Sequence, residues 1–427
     1  VTRSWLAPSG IPADGPGHDG RRHGDDRRHG PAPGAVLLSR DELTYAGYAT
    51  LATWGWFLYG FGSLLPLLRA EQGISRTVTG LHSVALATGA VISGSLTVQL
   101  VRALRRRGTA LLGLALLASG ALALCLSRNP YLSLPSVLLV GTGGSILVNS
   151  VNASLSDHHG PAAAAALSEA NAMAAGVGLV APLAVGAGVG LGWGWRPAVL
   201  VIVVLTAGVA RLLNRVPPNT PALDTILPRQ DPGHGRLPPV FWLLAGTVVV
   251  CVGIEFVCTA WSADLLRTRT GLSPGAASAA VTAVVAGMAA GRLLIGRLAL
   301  RLPGQALLLA ALATTVLGWL VTWLVTTPWI AVVGLGVTGI GISGQYPLGI
   351  SLALGSAPGQ RDRATSKISL GIGLSAGLSP FLVGALADAT STHTAFVVVP
   401  ALVTLALSLL GGSLLAGTAR PGRPEVG

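Results

Sequence analysis

Charge is scarce in this chain: Asp, Glu, Lys and Arg together supply 10% of 427 residues, whereas apolar side chains supply 51%. A soluble domain carries about a quarter charged residues, so with a mean hydropathy of +0.66 the solvent for most of this chain is lipid. Cysteine is nearly absent. Cys125, Cys251 and Cys258 all fall in apolar runs, and the last two, a heptad apart, are separated by roughly 10 Å along a helix, too far to bridge. Neither a disulfide framework nor a metal site follows, and no cofactor is expected. No GxxxxGK[ST] loop occurs, which removes the usual signature of ATP-driven transport. No cluster of His, Asp or Cys suggests membrane-embedded enzyme chemistry, so the chain reads as a non-enzyme. Lysine is reduced to Lys367 alone, and the abundance of Arg, Ala and Gly points to a GC-rich bacterial genome.

What is present is a succession of apolar runs, each long enough to cross a hydrocarbon core of roughly 30 Å as a helix. Twelve can be drawn, at 43–68, 79–100, 109–127, 132–155, 163–190 and 195–214, then 239–265, 274–300, 305–326, 328–354, 366–387 and 394–416. The proline-rich stretch between the sets of six is the best domain boundary. The expected organisation is a disordered tail at 1–40, a six-helix bundle at 41–216, a central loop at 217–238, a second bundle at 239–416 and a short tail at 417–427. The first forty residues are too polar to offset the entropy of ordering them. They also lack the apolar stretch of a cleavable signal, so the first span is expected to direct insertion. His18, His23 and His29 sit there among Gly, Arg and Asp without ligand geometry.

The net charge of +12 is accounted for by topology and not by nucleic acid. Arg102, Arg105, Arg106 and Arg107 follow span two, Arg211, Arg215, Arg229 and Arg236 flank the central loop, Arg297 and Arg301 follow span eight, and Arg361, Arg363 and Lys367 precede span eleven. Fewer arginines fall in the alternate connections. The positive-inside bias then places both termini in the cytoplasm and the protein in the inner (plasma) membrane.

Several motifs resemble those of the major facilitator superfamily. "LPLLRAEQGISRTVTG" resembles the family's turn after the first helix, and Gly94 followed by "RALRRRG" resembles its cytoplasmic motif between helices two and three, with Val98 where an acid is usual. "GMAAGRLLIGRLALR", around Gly291, Arg292 and Gly296, resembles the equivalent motif of the second half. "GLSPFLVGALAD" resembles the eleventh helix and outer turn. An acid followed by tryptophan in span seven, "GIEFVCTAWSADLL", and a glycine-rich tenth span carrying Tyr346-Pro347 resemble the fucose-permease-like branch of sugar:proton symporters. "GVGLVAPLAVGAG", with Pro182, is similar to the proline–glycine motif of drug antiporters. The resemblance implies an all-α membrane protein of twelve helices in two six-helix bundles, working by alternating access. It implies roles in gating or structure for Gly94, Gly291, Arg292 and Pro182.

From the residues themselves, Glu255 is the first candidate for proton coupling. An acid near the middle of a span costs at least about 2.5 kcal/mol to insert, and must face the protein interior or a water-filled cavity. Cys251, Cys258 and Ser262 share its helical face, while Trp261 either caps the cavity or belongs to an interfacial belt. Asn149 and Asn152, with Ser145 and Ser156, make a polar stripe on span four that suits a hydroxyl-rich solute or interhelical hydrogen bonds. Trp56 and Tyr59 on span one, and Gln345 and Tyr346 on span ten, complete the substrate-binding candidates. Glu169, near the cytoplasmic end of span five, reads as a partner of loop arginines. Asp264, Arg267 and Arg269 read as solvated loop charges, and His82 as structural.

The expected function is secondary transport of a small organic solute, coupled to protons, by a monomer whose partners are that solute, protons and the bilayer. Uptake of a sugar-like compound or metabolite and antiport efflux of drugs or natural products both stay open. A membrane sensor without transport activity is the reading from another class.

Overall fold

The computed structural model describes residues 40–217, 220–224 and 236–418. The tail at 1–40 apart from Arg40, its three histidines, part of the central loop and residues 419–427 lie outside the described residues. Within them the chain is helical throughout, with no strand. The first half comprises α1 (Glu42–Gln72), α2 (Arg76–Leu126), α3 (Pro130–His159), α4 (Ala163–Gly190) and α5 (Arg196–Arg215). After the short α6 (Pro221–Asp224) come α7 (Pro239–Thr270), α8 (Pro274–Ala280), α9 (Thr282–Leu298), α10 (Gly304–Leu324), α11 (Pro328–Gly355), α12 (Arg361–Ala389), α13 (Thr392–Ala395) and α14 (Val398–Thr418).

Ten helical stretches are long and apolar enough to cross a bilayer, and two are long enough to do so twice: Arg76–Leu126 at 51 residues and Pro130–Gly190 at 61. Each is broken where a connection between spans is expected. α2 turns at Arg105 (φ 58, ψ 171), the one non-glycine residue with positive φ among those described. α3 gives way to α4 through a single 3-10 turn at Gly160–Ala162. Divided at these points, the described chain has twelve apolar segments.

A backbone in this region, which glycine alone adopts freely, costs an L-residue roughly 1–3 kcal/mol, and the neighbours of Arg105 hold the turn in place. Arg106, 2% exposed, donates to the carbonyl of Ala222 at 2.8 Å and pairs with Asp157 at 2.6 Å. Arg107 donates to the carbonyls of Val216 and Pro217. The arginine cluster that marks this connection in the sequence therefore binds the chain that links the two halves.

α1 to α5 pack on one another, and α7 to α14 form a second set. Small residues set how closely the helices approach. A Cβ on Gly287 of α9 would run into the carbonyl oxygen of Gly336 on α11, and one on Gly291 would meet the Ser343 hydroxyl and, at 2.7 Å, the carbonyl oxygen of Ile340. Lipid offers no hydrophobic drive to join two helices, so such backbone contact supplies the dispersion energy that does. Gly336 itself has room, its hypothetical Cβ coming no closer than 3.7 Å to another group. Gly287→Ala is therefore expected to destabilise the purified protein by about 1–3 kcal/mol through overpacking. Gly336→Ala should be neutral or stabilising by up to about 1 kcal/mol. Thermal unfolding of the two variants in one detergent checks the contrast.

Candidate functional site

The two halves meet along three seams, α1 with α7, α2 with α12, and α4 with α8 and α9. All three are closed at one end of the bundle, and the α2–α12 and α4 seams are open at the other. On the α2–α12 seam, Gly384 lies against Arg76, Gly80 against Phe381 with a Cβ-to-Cα separation of 2.7 Å, Gly377 against Ala87, and Gly373 against Val91 at 3.4 Å. One turn further, the helices have parted. Gly94 has nothing within 4 Å of its Cβ position, and Leu370 and Leu374 are half exposed. On the α4 seam, Gly186 meets the Gly275 carbonyl and Thr282 donates to the carbonyl of Leu179 at 3.4 Å. Beyond them Gly176 is free of contacts and Met173 is exposed. The open end is the one that carries residue 40, the central connection and residue 418.

The closed end is built on a carboxylate. Asp264, in the last turns of α7, has no exposed side-chain surface. Arg69 of α1 reaches it at 2.6 Å, Arg76 of α2 at 3.3 Å and the Thr392 hydroxyl of α13 at 2.6 Å. Beside it Asp388 of α12 accepts from the backbone N–H of Arg76 at 2.9 Å and of Thr77 at 2.7 Å, and from the Thr77 hydroxyl. This corrects the expectation of a solvated Asp264: tertiary packing buries it and supplies its countercharges from the other half. Charge at the end of an apolar span was visible, but its partners lie 195 and 188 positions away, which no local pattern reveals.

Beneath this layer Trp261 is buried and donates to the Pro380 carbonyl at 2.9 Å. A Cβ on Gly62 would strike the Thr259 carbonyl oxygen, and Ser278 donates to the carbonyl of Ser63 at 3.0 Å. Trp261 thus belongs to the seal and not to an interfacial belt. His82 is buried within the first half, with its Nε2 2.8 Å from the Ser133 hydroxyl.

Below the seal lies a cavity lined by Tyr59, Phe61, Ser83, Glu255, Phe256 and Thr259, among others. Glu255, Phe256 and Thr259 form the face of α7 that looks into it, while Cys251, Cys258 and Ser262 are buried in helix packing. The guanidinium of Arg292 on α9 lies within electrostatic reach of the Tyr59 hydroxyl and of Glu255. Tyr346 of α11 is also within electrostatic reach of Glu255 and is 42% exposed. Four of the residues singled out in the sequence, on four helices from both halves, therefore come together.

The others lie elsewhere. Trp56 turns toward α5 and donates to the Ala198 carbonyl at 2.8 Å. Gln345 is 1% exposed and bonds Thr315 of α10 at 2.7 Å, with its Oε1 unpartnered. Asn149 and Asn152 are exposed on α3. Glu169 accepts from Arg40 at 2.9 Å and from the Tyr48 hydroxyl at 2.8 Å. Pro182 is buried in α4, one residue from Ala181, which touches Gly60 of α1.

Two helical halves around a cavity that is sealed at one end and open at the other define a multi-pass membrane carrier, not an enzyme. The Major Facilitator Superfamily profile matches residues 46–262 and again 243–426, and the chain belongs to that superfamily. No curated protein sequence matches it. Among solved structures, it is similar to a bacterial homologue of the human lysosomal transporter Spinster in an inward-facing, unoccupied conformation. That match has 14% identity and a TM-score of 0.68, and covers 91% of this chain and 100% of the other. The nucleoside transporter NupG matches at 12% identity and a TM-score of 0.69 over 89% and 99% of the chains. The transporter FucP in its outward conformation matches at 17% and 0.60 over 87% and 99%. The chain is a transporter of the secondary class, whose substrates are small molecules.

Removing one partner of a buried ion pair costs about 3–5 kcal/mol. Asp264→Asn is therefore expected to release the seal, and a cysteine at Ser83, in a background with the three native cysteines replaced, should become reactive from the sealed side. A rise of at least tenfold in labelling by an impermeant maleimide is the expected outcome. An unchanged rate would mean that the glycine contacts alone hold this end shut.

Proposed function

We propose that this protein is a proton-coupled carrier of a small organic solute, with its termini in the cytoplasm, and that Glu255 is the proton site. The observation that carries the reading is the placement of Glu255. It is a carboxyl group at membrane depth, in a cavity reached from one side only, with a cation on a neighbouring helix. Such a group can exchange a proton as its surroundings change, and an ionisable residue at that depth is a functional site by default. The positive-inside bias of the sequence orients the open end toward the cytoplasm, so the described state is open inward. FucP is a fucose:proton symporter, which supports symport as the coupling mode.

Alternating access follows from the seams. The contacts from Arg76 to Val91 on α2 and from Gly373 to Gly384 on α12 close one end. The same helix faces continue past Gly94 and Leu370 with nothing between them. Rocking one half against the other would break the Asp264 layer and bring those free faces together. On this reading Gly94 is a closure point, since only a residue without a side chain permits backbone approach there. A cysteine pair at Gly94 and Leu370 should cross-link in the Asp264→Asn background several times faster than in the parent. Equal rates would exclude a shared rocking motion.

Efflux by antiport is the second direction, favoured by the apolar lining that Leu58, Phe61 and Phe256 give the cavity. Proteoliposomes of wild type and Glu255→Gln, screened with sugars, metabolites and drug-like compounds under an imposed pH gradient, test both. Solute-triggered proton flux that the substitution abolishes, with binding retained, is expected, and its sign separates uptake from export. Gradient-driven transport by the variant at the wild-type rate would make Glu255 structural. Solute binding without transport by either protein would favour the sensor reading.

A further inference from the structure

The seal contains a binding site whose occupant is a side chain of the protein itself. The Arg69 guanidinium meets both oxygens of Asp264, at 2.6 Å and 3.4 Å. Arg76 Nε adds a third donor at 3.3 Å and the Thr392 hydroxyl a fourth at 2.6 Å. A guanidinium fork laid on a planar acceptor in this way is how arginine selects a carboxylate.

Both cations belong to one turn of the first half. Arg69 lies in the last turn of α1, Gly73 (φ 62) caps that helix by donating to the Arg69 carbonyl, and Ser75 caps α2 immediately before Arg76. Gln72 fastens the turn to the rest of that half, donating to the Ser127 hydroxyl at 3.5 Å and accepting from the Ser133 hydroxyl at 3.3 Å. Asp264, Thr392 and Asp388, by contrast, all come from the second half. The turn has one carboxylate of its own, Glu71, and that one is committed elsewhere. Arg196 donates to both of its oxygens, and the Trp195 indole N–H donates to it at 2.9 Å. When the halves part at this end, Arg69 and Arg76 therefore stay together and lose the carboxylates they now hold.

The neighbourhood adds further positive charge. Arg128, between α2 and α3, and Arg267 and Arg269, in the last turn of α7, lie at the same end. None of the three takes part in an ion pair within 4.0 Å among the described residues. The Nε of Arg269 is buried without a hydrogen-bond partner. An excess of cations around the mouth draws anions toward it.

We propose that Arg69 and Arg76 form a receptor for small external carboxylates, occupied by Asp264 while this end is shut and by the free anion when it opens. This rests on the alternating-access reading above and gives the sealed mouth a ligand. Asp264 and the external anion compete for the same donors. A carboxylate that binds only the open form raises its population by a factor of 1 + [L]/Kd, so the gate opens in answer to anions outside. Closure returns Asp264 to the arginines and displaces the anion. A primary amide of the same shape lacks the charge that the fork requires and does not compete.

The test uses the full-length protein in right-side-out vesicles, with the cysteine at Ser83, the three native cysteines replaced, and an impermeant maleimide outside. Formate and acetate are the probes, formamide and acetamide their neutral counterparts, and chloride holds the ionic strength constant at fixed pH. The carboxylates should speed labelling about threefold at twice their Kd and the amides should not. Asp264→Ala should reverse the sign. Its labelling starts high, and formate, which restores the missing group, should slow it at least threefold, because only the closed arrangement adds the Thr392 hydroxyl to the arginine donors. Formate should also raise the melting temperature of Asp264→Ala, which guards against misfolding. Both effects of formate should vanish when Arg69→Gln is added to Asp264→Ala.

Equal effects of acids and amides, no response of folded Asp264→Ala to formate, or a response that persists with Arg69→Gln would overturn the proposal. Carboxylate-specific stabilisation of Asp264→Ala with labelling unchanged in every variant would leave the receptor standing and sink the alternating-access reading. Labelling governed by Asp264 but indifferent to carboxylates would do the reverse.

Discussion

A single buried carboxylate fixes the state of this molecule. Asp264 sits at the end of an apolar helix with no exposed surface, a position tolerable only because Arg69 and Arg76 reach it from the other half of the chain. The charge cannot be buried without those cations, and it meets them only when the two halves touch at that end. Burial, pairing and closure are thus one event. The close glycine contacts at Gly62, Gly80 and Gly384 are possible only in the same arrangement, so electrostatics and packing agree on it. At the opposite end Gly94 and Gly176 have no neighbour within reach of a Cβ, and there the seams open.

That asymmetry gives the central cavity its meaning. Glu255, Arg292, Tyr59 and Tyr346 are drawn from α7, α9, α1 and α11, so no single helix or half owns the site. A ligand placed among them senses the relative position of the halves, and the halves control which side reaches it. Arg106 and Arg107 add a third constraint by binding carbonyls of the central connection, so that the link between the halves is tied to the end of the first at the turn most strained in backbone terms.

The fold was largely legible in the sequence, and the site only in part. Hydropathy located every described helix long and apolar enough to cross a bilayer, though not the short α6, and the arginine-rich turn after span two fell where α2 breaks at Arg105. Glu255, Tyr59, Arg292 and Tyr346 could be picked out because charge and hydroxyls inside apolar runs are conspicuous. Trp56 and Gln345 were equally conspicuous, yet both turn away to satisfy their polar atoms on Ala198 and Thr315. A helical wheel shows which residues share a face but not which neighbour that face meets.

By itself, then, the sequence determined that the chain lives in lipid, that it crosses repeatedly, and roughly where each crossing begins and ends. These follow from the free energy of transferring each segment between water and hydrocarbon, a sum over local residues. Only the tertiary structure decided that Asp264 is the core of a seal, that Gly94 faces a gap, and that Arg292 stands beside Tyr59 and Glu255. Those facts depend on which helix packs against which across separations of hundreds of residues, where the deciding energies are close contacts and charge pairs that no local window contains.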